Sequence, residues 1–262
     1  MNLLMDVGNT DIACGIYRGT VMVAKWRLRS QRRMTADELR WQLFGQLQMH
    51  QIAADGIRGV MVASVVPAID GVVDQACSKL IAAPVAMVGE HGVRTGMAID
   101  YLHPREVGAD RLVNAIAARH VYGAPVIILD CGTATTFDIV TANGHYAGGL
   151  ILPGVEMALE SLAQRAARLP EVSLERTECL IGRDTVSAMQ SGSYWGAVEA
   201  INGLIHRLHH ELQDATVPVI ATGGLAGVLS DDIKGLTAME PNLTLDGLAL
   251  LATEHFGASA CK

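Results

Sequence analysis

The chain has 262 residues, of which 50% are hydrophobic, 18% charged and 4% aromatic, and its formal net charge is −7. That length allows one large domain or two ordinary ones with full cores, and the apolar, aromatic-poor composition suits an α/β protein rather than a disordered or fibrous chain. The acidic balance argues against a dedicated nucleic-acid binder, and no run reaches the roughly 18 apolar residues of a spanning helix, so neither nucleic acid nor membrane is expected as a partner.

Leu3-Leu4-Met5 reads as a short buried strand that closes in Asp6-Val7-Gly8-Asn9-Thr10. Gly8 lets backbone N–H groups turn toward a ligand, and Asn9 and Thr10 add polar donors. Asp6 suits magnesium, directly or through water, because hard cations on nucleotides take one or two carboxylates and otherwise keep waters and phosphate oxygens. By itself this pentapeptide reads first as an ordinary strand-to-turn junction. A hairpin through Tyr17-Arg18-Gly19 then leads into a third strand over 21–28, and Arg27, Arg29, Arg32 and Arg33 read as a solvated strand end and loop. Thr35 with Glu38 forms a capping box that opens a helix to about residue 50. A buried strand at 59–64, a helix started by Pro67 and ending near 81, and a short strand at 85–88 complete the order βββαβαβ. That is the order of a ribonuclease-H-like half, a mixed sheet with three antiparallel strands followed by parallel crossovers.

Gly108-Ala109-Asp110-Arg111 precedes a helical pattern over 112–121, with Asp110 where an N-cap would sit. The first pattern then returns. Asp130-Cys131-Gly132-Thr133-Ala134-Thr135-Thr136 follows the apolar run Val126-Ile127-Ile128-Leu129, and a turn at Ala142-Asn143-Gly144 joins strands over 135–141 and 146–152. Helices, one strand at 217–221 ending in Gly223-Gly224, and a final helix over 245–255 follow. Duplicated ribonuclease-H-like domains are therefore expected, each an α/β unit with a mixed five-stranded sheet flanked by helices. The halves are 1–115 and 116–262, with the final helix free to pack back on the first. A nucleotide gripped between them would receive backbone donors from both.

There is no G-x-x-x-x-G-K-[ST], no G-x-G-x-x-G after a strand, no H-E-x-x-H and no G-x-S-x-G, which disfavours P-loop, Rossmann and the commonest hydrolase chemistries. His206 and His210 lie four apart without a third ligand and read as a solvated helix face. Cys14, Cys77, Cys131, Cys179 and Cys261 form no C-x-x-C pair, and an odd count resists a closed disulfide framework. Reduced thiols in a cytoplasmic protein are expected, and the first residues lack the features of a secretory signal. Asp110 has two readings, a helix cap beside a surface charge, or a general base with Arg111 gripping a substrate carboxylate through its bidentate fork.

Taken in order, Asp6-Val7-Gly8-Asn9-Thr10, Gly108-Ala109-Asp110-Arg111, Asp130-x-Gly132-Thr133-Ala134-x-Thr136 and Gly182-x-x-Thr185 with Gln190-Ser191-Gly192 resemble the type III pantothenate kinases, members of the actin/hexokinase/Hsp70-like ATPase superfamily. The resemblance implies ATP-dependent phosphorylation of pantothenate at its terminal hydroxyl to 4'-phosphopantothenate, the first step toward coenzyme A. It places ATP phosphates on Asp6, Val7, Gly8, Asn9, Thr10, Asp11, Ile12, Ala13 and Thr133, with Asp6 near magnesium. It places pantothenate on Tyr101, Gly108, Ala109, Asp110, Arg111 and Thr185, with Asp110 as proton acceptor. Asp130 matches the holder of a monovalent cation, K+ or NH4+, and a homodimer with its substrate pocket near the subunit interface is implied. His103 departs from the asparagine expected there, which bears on fine specificity. A kinase for another small metabolite and a regulatory protein assisting transcription are the alternatives. Intact phosphate motifs with an intact Asp110 favour an enzyme, because a regulator needs no base.

Overall fold

The structure, a computed structural model, describes residues 1–89 and 93–257; Cys261 lies outside the described residues. The first elements are β1 (Asn2–Val7), β2 (Asp11–Arg18), β3 (Val21–Arg29), α1 (Ala36–Met49), β4 (Gly59–Ser64), α2 (Pro67–Leu80), β5 (Val85–Met87) and α3 (Ala109–Tyr122). There follow β6 (Val126–Cys131), β7 (Ala134–Val140), β8 (Tyr146–Pro153), α4 (Val155–Arg165), α5 (Thr185–Glu211), β9 (Val219–Thr222), α6 (Ala226–Leu229), β10 (Leu236–Met239) and α7 (Leu243–Gly257). Two compact units result, Met1–His120 together with α7, and Val121–Pro241.

In the first unit the sheet order is β3-β2-β1-β4-β5, antiparallel through the hairpins and parallel from β1 to β4 to β5. The two-residue period of a strand sends Leu3, Met5 and Val7 to one face, where they meet Leu39, Leu43 and Leu47 of α1 and Ile69, Val73 and Cys77 of α2. Each such leucine contributes about 2 kcal/mol of burial. That suffices to anchor α1 although its outer side leaves Trp41 and Phe44 exposed. Thr35 and Glu38 close the reciprocal capping box at its start, as the spacing predicts.

The opposite face carries α7, which packs on β1, β2 and β4. Close approach is built in: a Cβ on Gly59 would overlap the Phe256 ring, and one on Gly247 would stand 2.5 Å from the Val113 carbonyl oxygen. Polar ties fix the helix further, with the Tyr17 hydroxyl donating to Asp246 at 2.7 Å and Thr244 Oγ1 to the buried Asn114 at 2.8 Å.

The second unit repeats the plan in the order β10-β9-β6-β7-β8, with β6 antiparallel to β7 and parallel to β9. Its core joins Ile127, Leu129 and Phe137 of the sheet to Tyr194, Val198, Ile201 and Ile205 of α5. Here the strand β10 is an addition to the sequence reading: Leu236-Thr237-Ala238-Met239 is short, half-exposed and on the sheet edge, so it lacks the apolar run that marks a central strand. The strand expected from 217 begins at Val219, because Pro218 has no N–H to give the ladder, although its carbonyl accepts from Ile127 N at 2.9 Å.

Candidate active site

The carboxyl ends of parallel strands are where open α/β sheets bind ligands, and each unit presents an Asp-x-Gly turn there. In the first unit Asp6 sits on the central strand β1, opposite Ala13 on one side and Ala63 on the other. The turn is closed by Gly8 N donating to the Asp11 carbonyl at 2.9 Å. Val7, Ile12 and Ala13 turn their side chains into the core, so they offer a ligand only backbone groups. Asn9 and Thr10 are exposed, and Asp11 is ion-paired with Arg27.

One hundred residues later in sequence, the Gly108 loop arrives beside this turn. Val65 links them: its N–H donates to the Val7 carbonyl at 3.1 Å, and its Cγ1 lies 3.6 Å from where a Gly108 Cβ would be. The helix α3 begins at Ala109, with Leu112 N donating to the Gly108 carbonyl at 3.1 Å. Asp110 is thus in the first turn and not at the N-cap, a correction to the sequence reading. Ala109 is a strong helix former, and the helix starts two residues before the position that an N-cap at Asp110 would give. Asp110 Oδ1 accepts from Arg111 N at 2.7 Å and folds over Gly108, where a Cβ would come within 2.6 Å of it. Burial raises the Asp110 carboxyl above the usual range, and the Arg111 N–H and charge only partly oppose it. A half-buried carboxylate with raised proton affinity is suited to accept a proton. Arg111 is half-buried next to it, and Tyr101 lies exposed on the irregular stretch ahead, before the turn Pro104–Glu106.

In the second unit Asp130 occupies the place Asp6 holds in the first, with Thr136 and Thr222 as its strand partners. The loop is one residue tighter, closed by Gly132 N donating to the Ala134 carbonyl at 3.1 Å. Thr133 is exposed at its tip, where its carbonyl accepts from Gly154 N at 3.2 Å. Two glycines line the Asp130 carboxylate: Cβ atoms on Gly223 and Gly132 would stand 2.5 and 3.5 Å from Oδ1. Gly224, by contrast, has open space around it, so of the glycine pair only Gly223 is demanded by the fold.

Thr185 opens α5 behind the N-cap Asp184, which completes a capping box with Ser187. Gln190 and Ser191, part of the last motif, turn out to hold the chain that precedes the helix: Gln190 Nε2 donates to the Ser173 carbonyl at 3.4 Å and the buried Ser191 hydroxyl to the Leu180 carbonyl at 2.6 Å. Gly182 lies against the helix so closely that a Cβ would be 2.3 Å from Ala188 N. His206 and His210 are exposed on α5. The sequence reading passed over Asp138, fully buried on β7, which accepts from the Tyr146 hydroxyl at 2.6 Å. An acid inside the apolar run Phe137-Asp138-Ile139-Val140 was its visible signal. A cavity of about 380 Å³ between α4 and the coil after it holds Glu160 and Glu171 but none of the sequence-predicted residues.

Residues 2–207 match the model of the type III pantothenate kinase family. A type III pantothenate kinase of Geobacter sulfurreducens is 43% identical over 251 residues, covering 96% of this chain and 98% of that one. Another, of Moorella thermoacetica, is 42% identical over 252 residues with the same coverage. Among solved structures, a conserved Campylobacter jejuni protein assigned to the Baf family of transcriptional activators superposes with a TM-score of 0.57 at 17% identity, covering 96% of this chain and 98% of that one. The ethanolamine utilization protein EutJ of Carboxydothermus hydrogenoformans gives 0.54 at 16%, covering 95% and 89%. At such identities these two report the fold alone.

Proposed function

This chain belongs to the type III pantothenate kinase family, and from that premise we propose that it phosphorylates pantothenate with ATP, using Asp110 as the base. The observation that carries the role of Asp110 is its setting, a half-buried carboxylate of raised proton affinity held through Val65 beside the Asp6-to-Thr10 turn. The Asp110 carboxylate accepts the proton of the terminal hydroxyl as that oxygen attacks the γ-phosphorus, and ADP leaves with the electrons of the broken P–O bond. Phosphoryl transfer asks little covalent chemistry of a protein, so positioning, backbone donors and one base are a sufficient set.

The remaining assignments belong to the same proposal. In the first unit Asp6, Val7, Gly8, Asn9, Thr10, Asp11, Ile12 and Ala13 serve ATP, the buried three through backbone groups only. Tyr101, Gly108, Ala109 and Arg111 serve pantothenate, whose carboxylate suits the Arg111 fork. In the second unit Thr133 serves ATP and Thr185 pantothenate. Asp6 fits magnesium as a single hard ligand, since the ion takes its other oxygens from phosphates and water. Magnesium, when bound, neutralises charge on the nucleotide phosphates. Asp130 fits K+ or NH4+ as a carboxylate at a strand end, with the backbone of Gly132 and Gly223 close beside it.

Incubated with ATP, magnesium and potassium, the protein should release ADP when pantothenate is added and not with a panel of sugars, acetate or other small alcohols. Turnover of a sugar or acetate with none of pantothenate would overturn the substrate assignment. A cytoplasmic homodimer is also part of the proposal, supported by exposed Ile151, Leu180 and Ile181 on the second unit. Light scattering should give twice the chain mass, and a monomer at micromolar concentration would exclude it.

A further inference from the structure

Residues 173–184, the coil that leads into α5, have no regular secondary structure. Ordering such a stretch costs backbone entropy at every residue, and a single neutral hydrogen bond returns no more than about what one residue loses. Something stronger is present at its centre. Arg176 donates twice to Asp232, from Nε at 2.6 Å and from Nη2 at 3.0 Å, and its guanidinium lies 5.3 Å from the centre of the Trp195 ring. Asp232 also accepts from the Tyr194 hydroxyl at 2.7 Å, and Trp195 Nε1 donates to Thr177 Oγ1 at 3.2 Å. Exposed ion pairs are ordinarily worth little, but a bidentate pair stacked on an aromatic ring and sharing a third donor is the exception. Hydrogen bonds from Arg176 and Tyr194 hold the Asp232 carboxyl down at about 2, so the pair stays charged at any physiological pH.

We propose that Arg176 is a positioning residue for the phosphoryl acceptor: clamped to Asp232 and Trp195, it fixes the coil whose far end, from Leu180 to Asp184, shapes the surroundings of Thr185. The proposal rests on the assignment of Thr185 to pantothenate. The backbone of Thr185 is set by α5 itself, whereas the groups next to it belong to the coil, so losing the clamp loosens the substrate's surroundings without touching the base. The clamp ties this surface arginine to two partners, Asp232 and Trp195, on separate elements.

The test uses the full chain with pantothenate and ATP varied separately. Arg176→Met should raise the KM for pantothenate roughly tenfold, with kcat and the KM for ATP within about twofold of the native enzyme, the pattern of lost uniform binding. Trp195→Phe, which keeps an aromatic face under Arg176 but removes the N–H to Thr177, should move the same constant in the same direction by less, and it decides the matter if Arg176→Met does not fold. Thr185→Val is the companion. If it raises the pantothenate KM while folded Arg176→Met and Trp195→Phe leave it unchanged, or shift both KM values alike, the clamp proposal fails and the site assignment stands. If Thr185→Val leaves that KM unchanged, both fail.

Discussion

Asp110→Asn should lower kcat by roughly 10²–10⁴ while leaving the melting temperature unchanged or slightly higher. Asparagine keeps the volume and the oxygen that accepts from Arg111 N, so the local contacts of the first turn survive; what it loses is the basicity. The stability side follows from the direction of the Asp110 shift. Its folded-state value is raised above the unfolded one, chiefly by burial, so whatever stability it contributes is present below the unfolded value and lost as pH rises through the folded one. Near neutrality the ionised group is a cost to the fold, and removing its charge should not destabilise. The same shift means kcat/KM should climb with pH through a value above the ordinary carboxylate range, a limb absent from the asparagine variant. A structural role in the first turn alone predicts near-normal turnover, since Asn keeps the shape of Asp and is close to it in helix propensity. Arg111→Lys should act on pantothenate KM instead, because lysine keeps the charge but not the fork. A folded Asp110→Asn enzyme with native kcat would remove Asp110 from the mechanism.

Gly223→Ala should strongly destabilise the second unit. Gly223 has φ of +95°, and an added Cβ would stand 2.5 Å from both Asp130 Oδ1 and the Cys131 carbonyl oxygen. Backbone of that hand costs a residue with a side chain about 1–2 kcal/mol, and forced overlap typically adds about 1–3. A loss of roughly 2–5 kcal/mol is expected, read as a large drop in urea midpoint, whereas Gly224→Ala should be near neutral in its open position. Relief requires moving the Asp130 carboxylate or parting β6 from β9. Either displaces the group proposed to hold the monovalent cation, so the folded fraction of Gly223→Ala should show no stimulation on replacing sodium by potassium or ammonium. Asp130→Asn should lose the same stimulation with the melting temperature held, because shape is kept and charge removed. Native activity in sodium equal to that in potassium would dismiss Asp130 as the cation's ligand.

The sequence by itself determined the elements whose causes are local. Apolar runs of strand length, a glycine at each hairpin and the Thr35–Glu38 box place β1, β3, β4, α1 and α2 within a residue or two, and the repeated Asp-x-Gly turn announced a duplicated fold that the two matching sheet orders bear out. Tertiary structure decided whatever depends on partners distant in the chain. The edge strand β10 forms because β9 offers it a ladder, not because Leu236-Thr237-Ala238-Met239 demands one. Asp110 acquires its raised proton affinity from burial, its carboxyl folded over Gly108, which no spacing reveals. Gln190 and Ser191, legible only as members of a motif, prove to be the fastenings of a coil, and Arg176 gained its meaning from an aspartate 56 residues away. Hydrophobic period and turn chemistry act over a few residues and can be read along the chain; desolvation, close packing and charge pairing act through space, and only the folded arrangement brings their partners together.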